Sequence, residues 1–175
     1  MTRFLPAASF AAVLTAAAPA VAHVELQADT APAGSSYKAV LMVPHGCAGS
    51  PTTGLRVQIP AGVIEAKPMP KPGWTITLKT GPLAQPVETE GARLTRTVTE
   101  IDWSGGNLPD GFYDEFVFVA TLPDTPGAVI HFPVIQQCAH GQTRWIEVPA
   151  AGQSAEALEW PAPALTLGPR KAGGD

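Results

Sequence analysis

Polar and apolar positions alternate with a period of two through much of the chain. In Leu55-Arg56-Val57-Gln58-Ile59 every second residue is apolar, and Trp74-Thr75-Ile76-Thr77-Leu78-Lys79 repeats the pattern. Successive side chains of a strand point to opposite faces, so each run predicts a strand with one buried face. Further extended runs are Tyr37 to Val43, closed by Pro44, then Tyr113 to Ala120, Val129 to Gln137 and Arg144 to Val148. Arg93 to Trp103 is another, rich in threonine, and its break in alternation near Glu100 predicts a bulge. Proline and glycine punctuate these runs, and loops such as Lys67 to Gly73 are expected to cap the ends. No window keeps helical periodicity over three turns. Seven or eight short strands in roughly 150 residues predict an all-β fold: a two-sheet antiparallel β-sandwich, immunoglobulin- or fibronectin-III-like.

Composition narrows the class. The 175 residues include 19 Pro and 17 Gly, which argues against a helical bundle or coiled coil, and 45% hydrophobic content argues against disorder. Net charge is −4 and the few Lys and Arg are scattered, so no basic face offers itself to phosphates and nucleic acid is excluded as a partner.

The first 22 residues read as an export signal. Arg3 precedes an uncharged, alanine-rich run from Phe4 to Ala22 that ends in Ala20-Val21-Ala22, small residues of the kind signal peptidase accepts. Pro6 and Pro19 make the run a poor membrane span, and no later stretch is apolar enough to cross a bilayer. The expected organisation is a cleaved signal peptide at 1–22, a β-sandwich domain at 23–150, and a Pro/Gly-rich C-terminal tail at 151–175 that Trp160 pins in part to the body. Cleavage after Ala22 makes His23 the new N-terminus.

Cys47 and Cys138 are the two cysteines. Outside the cytoplasm an even count reads as a disulfide. The alternative is a pair of thiolate ligands for Cu(I) or Zn(II); neither cysteine belongs to a CxxC or CxC pair, which favours the disulfide.

The four histidines are His23, His45, His131 and His140. A free α-amine and the Nδ1 of the same N-terminal histidine close a six-membered chelate on one ion, which no internal histidine can do. Two nitrogens from one residue suit a tetragonal, nitrogen-rich ion, and Cu(II) heads the divalent affinity series. Glu25, two positions on, projects to the same side of a strand as His23 and is a candidate ligand or acceptor for the imidazole. His45 lies in Val43-Pro44-His45-Gly46-Cys47, where a disulfide would fix the loop. His140 follows Cys138 by two and is a further candidate, whereas His131, inside an apolar strand, reads as structural. Trp145 is not a good ligand, but an indole laid against copper shields it. No GxSxG, HExxH or phosphate-binding loop occurs, and the sequence makes no enzymatic claim.

Taken in order, several strings resemble the YcnI-like family of secreted copper-binding domains. They are His23 after an export signal, Ala31-Pro32-Ala33-Gly34-Ser35, Lys71-Pro72-Gly73-Trp74, Ile101-Asp102-Trp103-Ser104-Gly105-Gly106, Tyr113-Asp114-Glu115-Phe116, and the stretch from Phe132 through Cys138 to Trp145. The resemblance covers about residues 23 to 149. It implies a β-sandwich that binds one Cu(II) per chain through the amine and imidazole of His23, with Trp145 as the tryptophan beside the metal. Better-known members place a glutamate ligand in the loop after Val43-Pro44, where this chain has His45-Gly46-Cys47. His45 is the expected substitute, and Cys47 and Cys138 fit a variant whose disulfide supports the loop. Many members continue into a C-terminal membrane anchor; this chain does not, and it is expected to have no stable anchor.

The expected function is that of a periplasmic or secreted copper carrier or chaperone, not an enzyme, partnered by another copper chaperone or transporter. Two other readings stand beside it. A histidine-brace oxidative copper enzyme would need an open axial site for oxygen. A metal-free structural or adhesive β-sandwich would bind copper no differently when a residue is added before His23.

Overall fold

The computed structural model describes residues 23–89 and 91–171. The export signal expected at 1–22 lies outside the described residues.

The alternating run at Leu55–Ile59 belongs to β4 (Thr52–Gln58), whose inward residues Leu55 and Val57 are fully buried. Around it the chain lays down β1 (Glu25–Leu26), β2 (Thr30–Pro32), β3 (Ser36–Val43), β5 (Ile64–Pro68), β6 (Thr75–Thr89), β7 (Ala92–Leu108), β8 (Asp114–Thr121), β9 (Val129–His131), β10 (Val134–Cys138), β11 (Gln142–Trp145) and β12 (Ala164–Gly168). One short 3-10 turn, Ala155–Ala157, is capped by the Ser154 side chain.

Two sheets form the sandwich, in the orders β1-β3-β8-β5 and β11-β10-β4-β7-β6, and every pairing in them is antiparallel. Leu41, Val43, Phe116 and Phe118 of the first meet Leu55, Val57, Ile101, Trp103 and Val134 of the second in one buried cluster. Each such side chain contributes about 1.5–3 kcal/mol by leaving water. The break in alternation near Glu100 is a bulge: Lys79 pairs with Glu100 but Thr80 with Val98, which leaves Thr99 unmatched. Beyond it β6 and β7 continue as a two-stranded ribbon, where the Arg96 guanidinium donates to the Thr80 carbonyl at 3.0 Å.

Two features depart from the expected plan. The run 129–137 is not one strand. It breaks at Phe132-Pro133, sending β9 into a third sheet of order β2-β12-β9 and β10 into the five-stranded one. The segment read as a tail from 151 supplies β12, which pairs parallel with β2 and antiparallel with β9. Leu165 and Leu167 are fully buried there, so the packed domain runs to Gly168.

Several of the strings that carry the family resemblance meet at one place. Lys71 Nζ lies 2.7 Å from Asp114 Oδ1, donates to the Glu115 carbonyl at 2.9 Å, and sits 4.6 Å above the Phe116 ring. Trp74 and Trp103 both pack edge-on against Phe116, at 4.9 and 5.6 Å between ring centroids. These residues hold the two sheets together, and Asp114 is part of that clamp.

Candidate metal centre

His23 and Trp145 meet where β1 starts and β11 closes, and His45 lies in the loop that follows β3. Val24 and Leu26 are anchored inward, 1% and 7% exposed, while Glu25 points out opposite Met42 of β3. This anchorage fixes His23, which is half-buried, against Trp145, the last residue of β11. The two rings meet edge to face, 5.5 Å apart and 65° between planes. Trp160 meets Trp145 in the same manner, at 5.2 Å and 69°. Trp145 is 1% exposed.

Its indole N–H is satisfied by a residue that the sequence reasoning passed over. Trp145 Nε1 donates to Gln136 Oε1 at 3.1 Å. Gln136 Nε2 in turn donates to the His45 carbonyl at 2.7 Å and to Thr52 Oγ1 at 2.8 Å. An indole N–H only donates and a carbonyl only accepts, so the orientation of this amide is determined by its neighbours. Buried at 1% exposure and bonded three times, Gln136 ties β11, β4 and the His45 loop into one unit. Its signal in the sequence is a polar residue at an inward position, between Val134 and Cys138 on the buried face of β10.

The structure brings His45 to this group through its backbone carbonyl. The His45 ring turns toward its own loop, with Nδ1 donating to the Gly46 carbonyl at 2.6 Å. The loop is stiff. Cys47 and Ser50 exchange backbone hydrogen bonds of 3.0 Å across Ala48 and Gly49, both at positive φ (49° and 85°), the conformation that a two-residue hairpin turn demands. Cys47 is bonded to Cys138 across a separation of 91 residues, and neither cysteine is free, which removes the thiolate-ligand alternative. Asp110 Oδ1 accepts from Gly49 N at 3.2 Å and steadies the turn from the β7–β8 connection.

His140 is exposed and held at the disulfide end of β10, its N–H donating to Ser50 Oγ at 2.9 Å. His131 is half-buried on β9 opposite Ala164, and its Nδ1 is buried without a hydrogen-bond partner among the described residues. Among the described residues no group of three or more His, Cys, Asp or Glu side chains is placed to hold a metal ion. What the arrangement offers is one imidazole at the head of an anchored strand, facing a rigid aromatic wall. A chain that began at His23 would add its α-amine beside that imidazole. These donors fit a nitrogen-binding cation such as Cu(II) better than a hard, oxygen-seeking one.

The two sheets, the crossing strands and the inter-sheet aromatic packing define an immunoglobulin-like β-sandwich. A crystal structure of an uncharacterized protein from Nocardia farcinica with an immunoglobulin-like fold is similar to this chain at 27% sequence identity, covering 83% of this chain and 98% of that one with a TM-score of 0.62. The chain belongs to the family described as a domain of unknown function, DUF1775, whose model matches residues 23–167. No curated protein matches it.

Proposed function

We propose that the protein acts outside the cytoplasm as a carrier of one Cu(II) ion, held by the amine and imidazole of His23 once the chain begins there. The observation that carries this reading is the seat of His23: half-buried at the head of β1 and set against Trp145, whose indole is locked by Gln136. The family match starts at this same residue, 23. Outer ring partners of this kind hold a ligand in one orientation before the metal arrives, which lowers the cost of binding. His45, whose carbonyl is fixed by Gln136, is the proposed further ligand, with Glu25 as a second candidate; His140, at the disulfide end of β10, is not placed beside His23. The indole fills space on one side of the His23 ring, which favours holding and passing on the ion over opening it to oxygen.

Titrating Cu(II) into the protein beginning at His23 tests this reading, followed by visible absorption and electron paramagnetic resonance. A single site per chain with nitrogen hyperfine structure, lost in His23→Ala, is the expected result. A spectrum unchanged by His23→Ala, or no saturable site, contradicts it.

A further inference from the structure

The copper reading leaves unused a groove beside β1. β1 is the edge of its sheet, with β3 on one side only. Gln27 N donates to the Val40 carbonyl at 3.0 Å, so by antiparallel alternation the N–H and C=O groups of Val24 and Leu26 face away from β3. The opposite wall of the groove is the segment 158–164, and its backbone is already committed elsewhere. The Trp160 carbonyl accepts from Glu147 N, Ala162 N donates to the Glu147 carbonyl, and the Pro163 carbonyl accepts from Phe132 N. Pro161 and Pro163 have no N–H to give. Among the described residues the outer edge of β1 is therefore unpaired, beside an open groove of about 900 Å³.

The chemistry of the groove selects its occupant. Glu25, Asp29, Glu156 and Glu159 line it, with no Lys or Arg beside them. None of the four carboxylates enters an ion pair among the described residues. Leu158 and Pro161 supply apolar wall. We propose that this groove docks an extended segment of a partner protein, which adds as a strand to β1 and carries Lys or Arg at alternate positions. Main-chain bonds to Val24 and Leu26 would supply affinity, and basic side chains beside Glu25 and Asp29 specificity. A second copy of this chain is a poor occupant, because pairing β1 with β1 sets carboxylate against carboxylate. His23 also lines the groove, so the docked segment passes the residue proposed to hold copper. Docking itself needs no metal.

The test is made with chelator present, which separates it from the copper reading. The protein beginning at His23 is titrated at low salt with the peptide acetyl-Lys-Val-Lys-Val-Lys-amide, and binding is followed by calorimetry and backbone amide NMR. Controls are the peptide with Glu in place of Lys, and two versions N-methylated at alternate amides. The expected result is binding with shifts confined to 23–29 and 155–164, lost for the acidic peptide and for one N-methylated version. The double variant Glu25→Gln, Glu159→Gln should weaken it about fivefold, the effect of two exposed ion pairs. The proposal is overturned by no binding, by equal binding of the acidic peptide, or by shifts elsewhere. It is equally overturned if calcium chloride alone moves the same amides, or if the free protein dimerises through β1.

Discussion

His23 meets the Trp145 ring edge to face, 5.5 Å between centroids, and the indole N–H on Trp145 reaches Gln136 at 3.1 Å. The first residue of the domain is thereby linked through one buried amide to the carbonyl of His45, far along the chain. The orientation of the candidate ligand is in this way a property of the core.

Removing the amide should therefore cost more than an ordinary surface change. Gln136→Leu leaves the Trp145 N–H, the His45 carbonyl and Thr52 Oγ1 without their partner, and should destabilise the protein by about 3 kcal/mol or more in urea unfolding. Trp145→Phe orphans only Gln136 Oε1 by comparison, though it also leaves a gap, and should cost about 1–3 kcal/mol for the lost bond.

Gly46 is the tight point of the His45 loop. A Cβ there would lie 2.0 Å from the Ser50 carbonyl oxygen, which already accepts from Cys47 N. Gly46→Ala should open the 47–50 turn and lower stability by about 1–3 kcal/mol, as overpacking does. In amide NMR its largest shifts should fall on Cys47 to Ser50 and on the Gln136 side chain.

The disulfide between Cys47 and Cys138 closes a loop spanning 91 residues. In the chain-entropy account this is worth about 4–5 kcal/mol. The double variant Cys47→Ala, Cys138→Ala should lose that much in denaturant unfolding, and reducing agent should produce the same loss in the native sequence.

Both tyrosines should resist ionisation. Burial, with Asp29 nearby, pushes Tyr37 up to about 12; its hydroxyl donates to the Ala28 carbonyl at 2.7 Å. Tyr113 is raised to about 12 chiefly by its hydrogen bond to Glu115. A phenol whose proton is held more tightly in the folded state contributes stability that is complete below pH 10 and is lost as pH climbs from 10 to 12. Absorbance at the tyrosinate band should thus appear near pH 12 in the folded protein and near 10 in denaturant. Glu115→Gln should return only the Tyr113 step toward 10.

The run 55–59 was legible because its alternate side chains, Leu55, Val57 and Ile59, are buried; 75–79 alternates equally strictly and does form a strand, but its expected buried face is absent, with Ile76 only half-buried and Leu78 44% exposed. β5 and β12 were not legible: Ile64 to Pro68 is short and ends in proline, Ala164 to Gly168 is short and lies between Pro163 and Pro169, and their burial depends on partners distant in sequence. β9 and β10 read as one strand because the chain changes sheet at Pro133 without losing extended character. At the site, His23 and Trp145 were recognisable as candidates from the expected cleavage point and the family resemblance. Gln136 was hidden because an inward glutamine is meaningful only once its three partners, at Trp145, His45 and Thr52, are brought together by folding.

A paired Cu(II) titration decides whether the free amine of His23 holds the metal. One protein begins at His23 and the other carries a single additional residue ahead of it, with both measured from pH 5 to 8. The extension leaves every side chain in place and removes only the free amine from His23. The first protein should bind one Cu(II) tightly, with affinity falling steeply on acidification as ligand nitrogens take up protons, and the second should bind at least tenfold more weakly. Equal affinity of the two proteins, or binding indifferent to pH, would contradict that coordination.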